Sequence, residues 1–426
     1  MRQASFYSFA TLMVCFFSGA AAQDLSVSGQ VRGLWSEQTV NEISPATLSE
    51  RLLSGLSPSL VPAANSMGVV ETELHLSRKG ITAIATAQGR LNETEQTRGT
   101  HATAWINELY GTVGDGAWQL SAGRKIVAWD VGYGFRPNDV VQQEKRRNLI
   151  GSTLIGRSVA SVDYFDAKLA ASLVWINPDN IFQKSETDKS LAEEQALAAR
   201  IYYRAGGVDL HGFAKYGFQS GTSVGVALAW VATDALELHA SARYLQRNTA
   251  RQTAGNLPPS QKNSAWLAQT QTAIAQVLLG ATWTTDEQHS FLLEAWWDGT
   301  ALSAEKWRQW SQGNSFLIER ALGRPNNQRQ LGYQLALQSQ ALSSASNLQQ
   351  QNVFARWSWQ TSTWQPSVDI LWTPQDGGLV VTAAIGWQGD RWHLDGGVRF
   401  FGGPNPAVLA QLPSRGAAYL SSTWSF

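Results

Sequence analysis

Residues 235–246 read ALELHASARYLQ, and their alternation decides the fold. Leu236, Leu238, Ala240, Ala242 and Tyr244 fall on one face, and Glu237, His239, Ser241 and Arg243 on the other. A strict period of two is the signature of a strand with two unlike faces. The same pattern recurs in VVETELHLSR (69–78), where Val70, Thr72, Leu74 and Leu76 oppose Glu71, Glu73, His75 and Ser77. In GVDLHGFAKYG (207–217), Val208, Leu210, Ala214 and Tyr216 oppose Asp209, His211 and Lys215. In DRWHLDGGVRFF (390–401), Trp392, Leu394, Val398 and Phe400 oppose Arg391, His393, Asp395 and Arg399.

A soluble sandwich also alternates, but its apolar faces must meet in a shared core. Here the apolar faces are simple and tipped with Trp, while the polar faces carry mixed charge and His. That combination predicts an all-β, antiparallel transmembrane barrel with lipid outside and water inside. In hydrocarbon every backbone polar group needs a partner, and a closed barrel provides one without leaving an edge. A Lys or Arg on the lipid face near the midplane would cost about 2–4 kcal/mol. The alternation keeps the charges off that face.

Composition agrees. The chain has 426 residues, 33 Lys+Arg balanced by 33 Asp+Glu, 19 Trp and 37 Gly. Neutrality gives no reason to expect nucleic acid or a polybasic membrane surface. Arg2, the apolar run FATLMVCFFSGA (9–20) and Ala20–Ala22 read as a secretory leader cleaved after Ala22. The single Cys, Cys15, falls inside that leader, so a disulfide framework is not expected. Later segments lack the run of 18 apolar residues that a helical span requires. The remainder, 23–426, reads as one barrel domain.

Tight turns are expected at 78–80, 114–116, 166–168, 205–207, 233–235, 285–288, 361–363 and 389–390. In such barrels short turns face the periplasm and long loops the exterior. A first count gives nineteen strands, because QLGYQLALQSQAL (330–342) alternates too. An odd count separates the chain ends, and Gln, Ala and Leu favour helix. That stretch is therefore assigned to a helical part of one large external loop, 299–351, which leaves 18 strands. The expected topology puts Trp118, Trp230, Trp283, Trp359, Trp364, Trp387, Trp392 and Trp424 beside the short turns. Trp35, Trp105, Trp175, Trp297 and Trp372 fall at the opposite strand ends, which predicts two interfacial belts.

The chain ends in GAAYLSSTWSF (416–426), with Ala418, Leu420, Ser422, Trp424 and Phe426 on one face. A last strand closing on an aromatic residue resembles the assembly signal of Gram-negative outer-membrane proteins. The resemblance implies membrane lipid and the barrel assembly machinery as partners, in the cell outer membrane.

The densest local pattern is AWDVGYGFRPNDVVQQEKRR (128–147), leaving the top of a strand. Its glycines lack the spacing of a phosphate cradle. The wider stretch GRKIVAWDVGYGFRPNDVV (123–141) resembles barrels of the alginate-export type. That resemblance marks Gly123, Arg124, Trp129, Gly132, Tyr133, Pro137 and Asp139 as motif positions. It implies a porin-like exporter, although the chain lacks the basic excess of alginate exporters.

An 18-stranded barrel encloses a wide aqueous lumen, which something must narrow. Residues 129–147 are expected to fold into the mouth, with Trp129 and Tyr133 against the wall. Arg136, Lys145, Arg146 and Arg147 would line the constriction, paired partly with Asp130 and Asp139. Gly132 and Gly134 are expected to take sharp or left-handed backbone, and Pro137 to fix the exit. Glu71, Glu73, His75, Arg204, Asp209, His211, Glu237, His239, Arg243, Arg391, His393, Asp395 and Arg399 are expected to line the lumen. The bland reading of 129–147 is an external cap.

The function expected is a channel or exporter for small or polymeric polar solutes, an anionic solute included. An alternative is a surface assembly partner docking another protein through 299–351, where KWRQW (306–310) and SFLIERAL (315–322) are candidate contacts. A minor alternative is an outer-membrane enzyme. The histidines show no metal-ligand spacing and no G-x-S-x-G motif occurs, so neither metal, cofactor nor catalytic residue is assigned.

Overall fold

The computed structural model describes residues 25–53, 66–93, 98–142, 154–177, 194–252, 267–323, 327–339, 341–344 and 346–426. The leader expected over 1–22 and the basic residues 145–147 lie outside these. Eighteen strands form one closed antiparallel sheet in which every strand pairs with its sequence neighbours, and β1 closes on β18. The first half comprises β1 (Ser26–Val40), β2 (Ser66–Arg78), β3 (Ile81–Glu93), β4 (Arg98–Asp115), β5 (Trp118–Lys125), β6 (Arg157–Phe165), β7 (Leu169–Asn177), β8 (Ala196–Ala205) and β9 (Val208–Gly217). The second comprises β10 (Gly221–Val231), β11 (Leu236–Gln252), β12 (Leu267–Thr284), β13 (His289–Asp298), β14 (Gln351–Trp359), β15 (Trp364–Thr373), β16 (Gly378–Gln388), β17 (Trp392–Gly402) and β18 (Ser414–Ser425).

All eight expected turns join consecutive strands at one end of the barrel, where the strand termini of β1 and β18 also meet. There Gly29 and Phe426 exchange backbone hydrogen bonds of 3.0 and 2.9 Å, and the Phe426 ring packs where a side chain on Gly29 would stand. Closure thus uses Phe426 itself. Among the described residues, the connections 218–220 and 374–377 at the other end are short as well, so loop length alone does not separate the two ends.

The outer wall is apolar. Val70, Leu210, Val226, Leu279, Leu293, Val398 and Leu420 are all exposed, as is most of the expected Trp set. So broad an exposed apolar band fits hydrocarbon rather than water. Among the described residues no helix is long and apolar enough to cross a membrane.

Trp105 departs from its expected belt. A register shift between Ile84 and Ala85 puts one extra residue of β4 against β3. Beyond it Trp105 pairs with Thr86, and Thr86 with Glu73, so Trp105 shares the inner face with the carboxylates. A bulge shifts the phase of alternation by one, which local periodicity cannot foresee. Single-Trp variants carrying Trp35 should be quenched strongly by brominated lipid, and those carrying Trp105 weakly. Equal quenching would place Trp105 outside.

The large loop is helical, as expected: α2 (Ala304–Gly323), α3 (Gln328–Ser339) and α4 (Ala341–Ser344) follow α1 (Pro45–Leu52) of the first loop. α1 packs on α3, and α4 reaches β11. Trp307 and Trp310 are buried with Leu302, Leu342, Val380 and Val408. Their indole N–H groups donate to the carbonyls of Leu348 and Gln338. The aromatic residues of KWRQW therefore anchor the loop to its own barrel and are not free to meet a partner protein.

Candidate functional site

Beyond β5 the chain turns inward. Residues 126–142 run as an irregular hairpin along the inner wall, from β6 as far as β14, and back. At the root Val140 and Val141 pack with Val159, Val174, Ile176, Ala196 and Ala198 of β6, β7 and β8. Trp129 stacks on Phe213 of β9, with centroids 6.5 Å apart. At the tip Tyr133 stacks on Phe354 of β14, and Phe135 on Trp296 of β13. Trp129 and Tyr133 thus meet the wall.

Irregular backbone inside a barrel must find hydrogen-bond partners, and here carboxylates supply them. Asp139 Oδ1 accepts from the N–H groups of Trp129 (2.7 Å) and Asp130 (2.9 Å). Asp130 accepts from Val131 N–H at 2.9 Å, Asn138 N–H at 2.5 Å and the Ser241 hydroxyl of β11 at 2.8 Å. Glu294 of β13 accepts from Tyr133 and Gly134 N–H, both at 2.6 Å, and pairs with His239 Nε2 at 2.9 Å. Glu294 is fully buried. The Arg243 guanidinium donates to the Pro137 carbonyl at 2.9 Å and to Ser223 at 3.0 Å.

The wall is cut to receive this segment. A side chain on Gly225 of β10 would overlap the Asn138 carboxamide, whose Nδ2 donates to Ser241 Oγ at 2.8 Å. A side chain on Gly280 of β12 would overlap the His239 ring as it leans towards Glu294. Gly132 and Gly134 serve the same end, and this corrects the expected reason for them. Neither takes positive φ. A Cβ on Gly132 would strike the Phe135 carbonyl and Leu278, and one on Gly134 would crowd Glu294 and Trp296. Close approach, not a left-handed turn, requires glycine there.

The expected charge pairing holds in part. Arg136 lies 3.6 Å from Asp139, but its Nε donates to the Gly132 carbonyl, and Asp130 is held by backbone N–H and Ser241 instead. Lys145, Arg146 and Arg147 lie outside the described residues. Tyr133 and Arg136 keep partly exposed faces, and the Tyr133 hydroxyl accepts from Arg356 of β14 at 2.9 Å.

Of the thirteen residues expected on the lumen wall, His211 stands beside Phe213 on β9 and the other twelve separate into groups. His239 and Arg243 are buried beneath the segment or hold it, rather than lining open space. Glu71 and Glu73 are buried in a network with Arg32, Gln30, Gln88 and His75. Asp209 accepts from Tyr202 and Asp395 from Tyr419, at 2.7 and 2.6 Å, while Arg399 donates to Thr382. Arg204, Glu237 and His393 lie near the short turns. Arg391 falls in the turn between β16 and β17, outside the strand in which it was expected. Sequence reasoning misses Glu294, Asn138, Ser241 and Gly225. A glycine inside a strand does signal close backbone approach, so Gly225 and Gly280 offer a usable sign.

Burial lifts the Asp130 carboxyl above its usual range, against the lowering by its bonds to Asn138, Ser241 and Val131; the nearby Asp139 charge adds to the rise. The sign follows from linkage: a carboxyl raised on docking binds its proton more tightly when docked. The Asp130 contribution to docking is present in acid and lost as pH rises through the raised value. Hydrogen exchange over 129–139, corrected for intrinsic rates, should slow on mild acidification, and Asp130→Asn should flatten that trend. Faster corrected exchange in acid would reverse the sign.

No protein-family model and no curated protein sequence matches this chain. Among solved structures it is similar to the crystal structure of Pseudomonas aeruginosa OccK5 (OpdH), at 9% identity and a TM-score of 0.50. The match covers 95% of this chain and 98% of that one. It is also similar to a mutant of Rh. blastica porin, at 11% identity and a TM-score of 0.42, over 94% of this chain and 100% of that one. The first likeness shows the fold, a closed porin-like barrel.

Proposed function

We propose that this chain is an integral outer-membrane channel for small polar solutes, narrowed by the in-folded segment expected over 129–147. The observation that carries the reading is the seating of residues 126–142 on the inner wall from β6 to β14. An external cap would contact loops, whereas these residues contact inner-facing side chains of six or more strands. Tyr133 and Arg136 keep exposed faces beyond the segment's contacts, and charged inner-face pairs stand on β14–β15 and on β1–β2. Paired charges there, Arg356 with Asp369 and Arg32 with Glu71, suit hydrated polar solutes. The eight tight turns would face the periplasm, and α1–α4 the exterior.

Planar-bilayer recording on the refolded barrel tests this. Discrete, stable conductance steps are expected from protein whose gel mobility shifts on boiling. Correctly folded, inserted barrels that carry no current would overturn the reading.

A further inference from the structure

Under the root of the in-folded segment the wall of β8 and β9 carries a run of rings that the segment's anchoring does not fully use. Tyr202 and His211 are directly opposed across the two strands, with centroids 5.1 Å apart. His211 is parallel to Phe213 within 1° at 5.9 Å, and Phe213 is roofed by Trp129. Tyr202 and His211 are partly exposed, whereas Phe213 is covered. The positions that flank this pair on the inner face are small: Ala170 of β7 opposes Tyr202, and Ala227 of β10 opposes His211. A shelf overhead, rings behind and alanines at both sides make a recess rather than a flat wall.

Polar groups edge these rings, and their formal charges sum to zero. Arg200 lies over the Tyr202 ring at 5.7 Å, and its Nη2 meets His211 Nδ1 at 3.2 Å. Its Nε is buried and has no hydrogen-bond partner. Asp163, held by Ser161, lies in the same cross-strand row as Arg200, with Ser172 between them. Asp209 accepts from the Tyr202 hydroxyl and pairs across the strands with Arg204. Two arginines thus answer two aspartates around one aromatic surface.

We infer that this recess is a binding site for a neutral saccharide, with Tyr202 and His211 as the platform and Arg200, Asp163 and Asp209 as its hydrogen-bonding edge. A pyranose has an apolar C–H face to lay on rings and hydroxyls at its rim that both donate and accept. Mixed donors and acceptors of balanced charge match that rim, and an aromatic surface with a few convergent polar groups is the usual make-up of a ligand site. An anionic ring compound would bring a net charge to a rim whose two arginines and two aspartates sum to zero. The inference rests on the channel reading only for how the solute arrives.

Calorimetric titration of the folded barrel in detergent with maltotriose, with benzoate as the charged planar probe, tests the site. Maltotriose should bind and benzoate should not. The double variant Tyr202→Ala/His211→Ala should weaken maltotriose binding about tenfold or more, whereas Tyr202→Phe, which keeps the ring, should stay near the parent. Heat-shifted gel mobility identifies variants that still fold. Failure of maltotriose to bind the parent, preference for benzoate, or unchanged affinity in the folded double variant would each overturn the site. Conductance is recorded on the same preparations: a barrel that binds maltotriose but never conducts supports the site and overturns the channel.

Discussion

Replacing Gly225 with valine is expected to evict the in-folded segment and raise single-channel conductance severalfold. Gly225 lies on the inner face of β10, opposite Phe213 on one side and Arg243 on the other. Any side chain there occupies the space of the Asn138 carboxamide. Asn138 is fully buried and donates to Ser241 and to the carbonyls of Val226 and Ala242, so it has no second place to go. Overpacking of this kind costs about 1–3 kcal/mol. Each buried polar group left unpaired adds roughly 1–3 kcal/mol. Most of that cost falls on docking, because valine suits a strand and the outer face is unchanged, but a Cβ there also stands 2.9 Å from the Ala242 carbonyl of β11, so only variant protein that keeps its heat-shifted gel mobility is recorded. Gly33→Val is the control, since a Cβ on Gly33 of β1 meets nothing within 4 Å. Conductance equal to the parent in Gly225→Val, with the control also unchanged, would mean that the segment does not limit the passage.

The second large effect is expected from Glu294→Ala. This carboxylate accepts from three donors at once, the Tyr133 and Gly134 N–H groups and His239 Nε2. His239 is buried, where water does not readily replace the lost acceptor, and the two amides are partly buried. Stranding one of them costs roughly 1–3 kcal/mol, and the bonds are charge-assisted. The tip should therefore open while the root, packed through Val140 and Val141, stays in place. Exchange of the Tyr133 and Gly134 amides, read by mass spectrometry, should accelerate about tenfold or more. Glu237→Ala serves as the comparison, because Glu237 is half exposed and lies 3.9 Å from His239. Equal protection of the tip in both variants would show that stacking of Tyr133 and Phe135, rather than Glu294, holds it.

Much of this molecule follows from chemistry that acts over two to twelve residues. Alternation through 235–246, 69–78, 207–217 and 390–401 marks strands, and the Gly-, Asp- and Thr-rich pieces between them mark all eight tight turns. Parity and helix propensity together place 330–342 in a helix despite its alternation, and α3 and α4 cover the described residues of that stretch. For Trp129 and Tyr133 the sequence leaves two places, the inner wall or an external cap.

What the tertiary structure alone decided is which wall, and through which atoms. Glu294 is 160 residues from Gly134, and the two meet only because barrel closure brings β13 within reach of the chain beyond β5. No local pattern separates that Glu from the other inner-facing carboxylates. Trp105 leaves its expected belt because one bulge inverts the phase of β4, and Arg391 leaves its expected strand because β17 begins one residue later. KWRQW looks like a docking surface because its two Trp stand among polar residues; the groups that bury them include Val380 and Val408, far along the chain. Period-two alternation is a property of the backbone and survives without context. The identity of a neighbour across the lumen depends on register, closure and the space left by glycines on another strand, and these exist only once the barrel is shut.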